Sequence, residues 1–171
     1  MNISFAKALG EVMKLGEDEK HDRALKRVEE MRKAWPGNPH LAVLAARLIQ
    51  LQEEPTQSLN DAKRLLQQAV DLDKQSPEAT IELAYFLDNI EDDPAEASRF
   101  FFQGIAAARQ LLVEGLLGQT HALLQLDRRD EAVRCLVEAL HHADAEKPAV
   151  KKKYSERIEE LLKELGQLQT A

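Results

Sequence analysis

Residues 62–73, Ala-Lys-Arg-Leu-Leu-Gln-Gln-Ala-Val-Asp-Leu-Asp, decide the fold. A helix carries positions i, i+3 and i+4 to one side, so Ala62, Leu66 and Ala69 form a narrow apolar seam. Two of the three are alanines. A seam that small lets another helix backbone come close, as a tightly paired helical hairpin requires. Gln75-Ser76-Pro77 then stops the helix.

The seam recurs. Ala24, Val28 and Met31 lead to Pro36; Ala97, Phe101 and Gly104 follow, then Ala132, Leu136 and Ala139. The leading alanines stand 38, 35 and 35 residues apart. Self-similarity at such a period signals stacked repeats, each one supersecondary unit that buries its apolar face against a neighbour. The pattern resembles the tetratricopeptide repeat, whose second helix reads Ala-x-x-x-Phe-x-x-Ala and ends near a proline. Leu9-Gly10 and Leu117-Gly118 resemble the Leu-Gly pair of that family's first helix, and each precedes its alanine by 15 residues. Tyr85 stands in for the usual first-helix aromatic. The resemblance implies an all-α fold, a right-handed superhelical solenoid of about four antiparallel hairpins over residues 1–146. Residues 147–171 would supply a C-terminal capping helix of the same domain.

Boundary signals agree with the repeats. Asn38-Pro39 and Ser76-Pro77 each read as a cap followed by a proline at the first helical position. Asp93-Pro94 with Glu96 starts a helix in the same way, and Ser58 with Asp61 resembles a capping box. Gly16 and the charged run after it mark the first turn, and Asp127–Asp130 the last. The register demands a further break near Arg109-Gln110, where no proline or glycine stands; one long helix is the competing reading. After Pro148, the stripe Tyr154, Ile158, Leu161, Leu162 and Leu165 would cover the open end of the last repeat.

Composition bounds the function. Apolar residues make up 44% and charged residues 31%, and the formal net charge of −7 argues against a broad nucleic-acid or anionic-membrane surface. The single cysteine, Cys135, excludes an internal disulfide. No basic leader precedes an apolar run, and no segment approaches the ~18 apolar residues of a membrane span, so the expected location is cytoplasmic. No phosphate-cradling glycine loop and no His-Glu-x-x-His occurs. Cys135 with His121, His141 and His142 is the sharpest grouping for a metal or catalysis. A small core cysteine and helix-terminal histidines account for it better. No enzyme activity, metal or cofactor is expected. Lys151-Lys152-Lys153, with Lys147 and Arg157, reads as the solvated side of the last helix.

In the resembled family the first helices line a concave groove that takes a peptide or helix of another protein. Carrying that register over gives Ser4, Lys7, Glu11 and Lys14, then His40, Val43, Arg47 and Gln50. The third repeat gives Glu78, Ile81, Tyr85 and Asp88, and the fourth Leu112, Gly115, Gln119 and Ala122. The lining is basic, then acidic, then small and apolar. It lacks the asparagine of the carboxylate clamp that receives chaperone C-termini. Phe100-Phe101-Phe102 cannot all face one partner, since successive helical residues point about 100° apart. Phe101 takes the core position. Phe100 and Phe102 are divided between inter-repeat burial and a convex contact. The implied function is a protein-interaction adaptor or scaffold, with self-association open. A small secretion-type chaperone for an aggregation-prone client is the alternative.

Overall fold

The computed structural model describes residues 4–53, 55–144 and 148–167, and every regular element among them is an α-helix. In order these are α1 (Phe5–Glu17), α2 (His21–Ala34), α3 (Pro39–Gln50), α4 (Leu59–Leu72), α5 (Pro77–Asn89), α6 (Pro94–Gln125), α7 (Arg129–Ala143) and α8 (Pro148–Gln167). Two compact units divide the chain, Met1–Ile105 and Ala106–Ala171.

In the first unit each helix from α1 to α5 packs on the next, and α3 also touches α5, two helices on. The small-residue seams make this packing close: Ala24, Val28, Ala62, Leu66 and Ala69 are fully buried. The third copy is looser. Ala97 is buried, but Phe101 lies half-buried against the core instead of inside it. Gly104 compensates. A β-carbon added there would lie 2.6 Å from Ile81 Cγ1, so the missing side chain is what admits α5.

The caps form as their residue types require. Asn38 Oδ1 accepts from the His40 N–H at 3.0 Å, Ser76 Oγ from Ala79 at 3.3 Å, and Asp93 Oδ1 from Glu96 at 3.0 Å. At α4 the box is reciprocal: Ser58 Oγ accepts from the Asp61 N–H at 3.2 Å, and the Asp61 carboxylate accepts from the Ser58 N–H at 2.9 Å. The Ser58 hydroxyl also donates to Asp61 Oδ2 at 2.6 Å, and this bond first, then that from the Ser58 N–H, with Arg64 adding its charge, holds the Asp61 carboxyl below its ordinary range. The first turn falls later than its glycine suggests. Gly16 stays helical, and the chain reverses with Glu19 at φ 56°. Asp92 and Asp127 take the same left-handed conformation in later turns, at φ 53° and 56°.

The main departure is α6. The turn expected near Arg109-Gln110 does not form, and one helix of 32 residues runs from Pro94 to Gln125. The local sequence Ala106-Ala-Ala-Arg-Gln-Leu-Leu112 consists of strong helix formers, with no cap, proline or glycine to interrupt it. The expectation that no segment suits a membrane span is also corrected. By length and composition alone α6 is long and apolar enough to cross a membrane. Gln103, Arg109, Gln110 and Glu114 break the apolar run without lowering its average enough to fail that test. Of its most apolar stretch only 22% is buried, and α6 contributes Ala97 to the core of the first unit and Val113, Leu116, Leu117 and Leu124 to that of the second.

The second unit gathers those α6 residues with Ala132, Leu136 and Ala139 of α7 and Tyr154, Ile158 and Leu161 of α8. Of the expected α8 stripe, Tyr154, Ile158 and Leu161 are thus buried and Leu165 packs beside them, whereas Leu162 is 50% exposed. Thr120 is fully buried there and donates its hydroxyl to the Leu116 carbonyl at 2.8 Å.

Candidate partner-binding face

The sharpest polar arrangement lies where α3 meets α5. Arg47 Nη2 donates to Glu82 Oε1 at 2.6 Å and stands 3.2 Å from Glu78 Oε1. His40 Nδ1 lies 2.6 Å from Glu78 Oε2. Glu78 therefore bridges two residues of α3 that stand about two helical turns apart. The hydrogen bond to Glu82 raises the Arg47 guanidinium above its ordinary value against a smaller desolvation cost. The group is partly exposed, so each pair is worth at most about 1 kcal/mol. What the lattice does is fix side-chain directions across the helix pair.

Four of the groove positions read from the sequence thus map onto this one face. His40, Arg47 and Glu78 come together directly, and Tyr85 follows on α5. Tyr85 is 52% exposed, and its ring meets Phe101 edge-on with centroids 4.9 Å apart. Phe101 braces a large aromatic that solvent can still reach. Asp88, one turn further, is exposed. Glu82 was missed by the repeat register, although it stands one 35-residue period after Arg47. With Glu82 included, one fixed positive charge, Arg47, faces two carboxylates, Glu78 and Glu82. The basic character expected of the second repeat is cancelled, and the α3/α5 face is acidic.

Other positions fall elsewhere. Val43 is a correction: only 1% of it is exposed, it lies in the core, and no partner reaches it. Its place between buried Ala42 and Ala46 shows that α3 is apolar on more than one side. Ile81 is half-buried and turned to Gly104. Gln50 folds back, donating to the Ala46 carbonyl at 3.1 Å. On α1, Lys7 and Lys14 are exposed, while Glu11 turns to α2 and accepts from Arg27 Nε at 3.0 Å. Arg27 also donates to Glu30 at 2.8 Å, and that bond above all raises its pKa. Gln119 is exposed on α6 within the second unit.

The aromatic triplet divides. Phe102 is 68% exposed. Phe100 packs against the first core with the Arg99 guanidinium 5.1 Å above its ring. Trp35 closes the end of α2, edge-on to Phe5 at 5.1 Å.

Among the described residues no three His, Cys, Asp or Glu side chains converge as a metal site. Cys135 is half-buried beside the second core. His121 lies 3.2 Å from Gln125 Nε2 and 3.6 Å from Glu164, and His141 meets the edge of His142. Lys151 pairs with Asp144 at 2.6 Å and thereby holds that carboxyl low. Lys147 and the Lys153 side chain lie outside the described residues.

No family model matches the chain. A stretch of 88 residues is 33% identical to an uncharacterized 18.1 kDa protein in the carS 3′ region of Myxococcus xanthus. That stretch is 50% of this chain, and the chain spans about half the length of the relative, 52%. The crystal structure of MamA protein aligns over 97% of this chain and 96% of its own. Its identity is 15% and its TM-score 0.42, too distant a likeness to bear on function.

Proposed function

We propose that the protein is a non-enzymatic interaction module, an adaptor or scaffold that receives a peptide or helix of another protein on the α3/α5 face. The supporting observation is Tyr85: a large aromatic ring left 52% exposed, braced by Phe101, beside side chains whose directions are fixed by charge pairs. Tyrosine and arginine concentrate binding energy because each offers wide contact area with directed hydrogen bonds. Ion pairs that orient Arg47 in advance reduce what a partner must order on binding.

The test is affinity for a partner co-purified from the native host. Tyr85→Ala or Arg47→Ala weakens binding by about 1–3 kcal/mol, with circular dichroism unchanged. Full affinity in both variants, with loss on Phe102→Ala instead, moves the site to the exposed side of α6 and rejects this face.

A further inference from the structure

At the corner joining α2 to α3 the surface opens into a cavity of roughly 670 Å³. Trp35, Pro36, Pro39 and His40 line it, and Asp73 enters from the end of α4. Its chemistry is one-sided. An indole and two prolines form an apolar wall, Asp73 is the charged group of the lining, and His40 is engaged with Glu78. No lysine or arginine lines it, although Lys33 and Lys74 lie one or two positions away along the chain.

Asp73 also breaks a local rule. The C-terminal end of a helix carries partial negative charge and favours a cation. Yet α4 has no basic residue in its last turn, and it ends on Asp71, Leu72 and the cap Asp73. By contrast α2, which reaches the same corner, ends with Arg32 and Lys33. Local conflicts of this kind mark functional positions more often than random ones. A cation supplied from outside would relieve it.

We propose that this cavity receives a cationic side chain, arginine or lysine, of the partner segment. The cation stacks on Trp35, the ring type that attracts it best, while the Asp73 carboxylate and the carbonyl end of α4 meet its charge. The acidic excess of Glu78 and Glu82, reached through His40, favours the same sign. This assignment rests on the α3/α5 face being the partner face, since His40 belongs to both, and it adds the chemistry of the partner.

Trp35 is the single tryptophan of the chain, so its fluorescence follows this corner of the molecule, the citrulline peptide serving as control for changes in its packing on Phe5. The probe is acetyl-Gly-Arg-Gly-amide, with the citrulline peptide as its uncharged isostere. Arginine peptide changes Trp35 emission saturably at roughly millimolar concentration, as one cation–π contact and one partly screened charge allow. Citrulline peptide does not. Asp73→Asn, which keeps the cap oxygen that accepts from the Gln75 N–H at 3.0 Å, weakens the titration about threefold to fivefold. Affinity of Tyr85→Ala for the co-purified partner is measured in parallel, so failure of the α3/α5 face and failure of this cavity are read separately. Equal response to arginine and citrulline, an unchanged titration in Asp73→Asn, or no saturable change would overturn the assignment.

Discussion

Replacing Gly104 with alanine tests the packing of α5 on α6 most directly. In an ordinary helix interior the change is favourable by about 0.5–1 kcal/mol, because glycine loses more backbone freedom on folding. Here the new β-carbon would sit 2.6 Å from Ile81 Cγ1 and 3.4 Å from both Ile81 Cδ1 and the Ile81 backbone nitrogen. Cγ1 moves only if χ1 changes, and a β-branched residue in a helix has one strongly preferred χ1. The helices must therefore separate or Ile81 must leave its rotamer, an overpacking cost of about 1–3 kcal/mol. The balance is a loss of up to about 2.5 kcal/mol. Gly115 and Gly118 of the same helix provide internal controls, since an added β-carbon meets nothing within 4 Å at either. Their alanine variants gain up to about 1 kcal/mol. The measurement is urea unfolding followed by circular dichroism, with the midpoint read at constant m. A double-mutant cycle with Ile81→Ala should recover most of the Gly104→Ala loss as a coupling of about 1 kcal/mol or more. If Gly104→Ala is as stabilising as the two controls, α5 and α6 do not approach as described.

Other perturbations have equally definite expectations. Phe101→Ala costs less than the ~3–5 kcal/mol of a fully buried phenylalanine, because the ring is half-buried, yet more than Phe102→Ala, which stays within about 0.5 kcal/mol; urea midpoints order the two. Ser58→Ala removes the cap of α4 and costs about 0.5–2 kcal/mol by the same measurement. Asp61 has a depressed carboxyl in the folded state, so its contribution is fully present above the unfolded value near 3.9 and fades as pH falls through the folded one. Asp61→Asn should flatten the stability profile in that acid window, measured as unfolding midpoint against pH. Glu19→Asn relieves a left-handed backbone position and gains up to about 1 kcal/mol in thermal unfolding.

Much of the first unit was legible because its signals are local. Cap, proline and alanine seam each act within a few residues, and the 35-residue period then aligns them across hairpins. The register carried over from the resembled family put His40, Arg47 and Glu78 on the first helices of adjacent repeats. It failed for Val43 because position in a repeat fixes an angle around the helix, not how much of the circumference is covered. On α3, where Leu41, Ala42, Val43, Ala45, Ala46, Leu48 and Ile49 are all buried, little more than His40, Arg47 and Gln50 is left facing out. Glu82 was passed over for a related reason. It is no groove position in its own repeat, but the arginine one period earlier is long enough to reach it. Side-chain length lies outside any positional rule.

At α6 two levels of sequence information disagree. The spacing from Ala97 to Ala132 keeps the 35-residue period, so the seam residues of α7 still occupy their repeat positions and are buried. The turn that should accompany that period is missing. Each connection from α1 to α7 carries its own device: Glu19, Asp92 and Asp127 in left-handed conformation, or Asn38, Ser58 and Ser76 as caps. Residues 106–112 have none, and three alanines followed by Arg, Gln and two leucines make helix propagation the favourable step at each position. Periodicity of buried residues can thus persist through a segment whose local chemistry no longer encodes the loop. A proline at Gln110 would separate the two levels. It removes an amide donor and clashes with the carbonyl four residues earlier, which costs about 3 kcal/mol if the helix must stay continuous. If the repeat register still favours a turn there, the cost falls well below that figure and helical content by circular dichroism drops by only a few residues. A full ~3 kcal/mol loss would mean that the continuous helix, and not the repeat, sets the structure of residues 106–112.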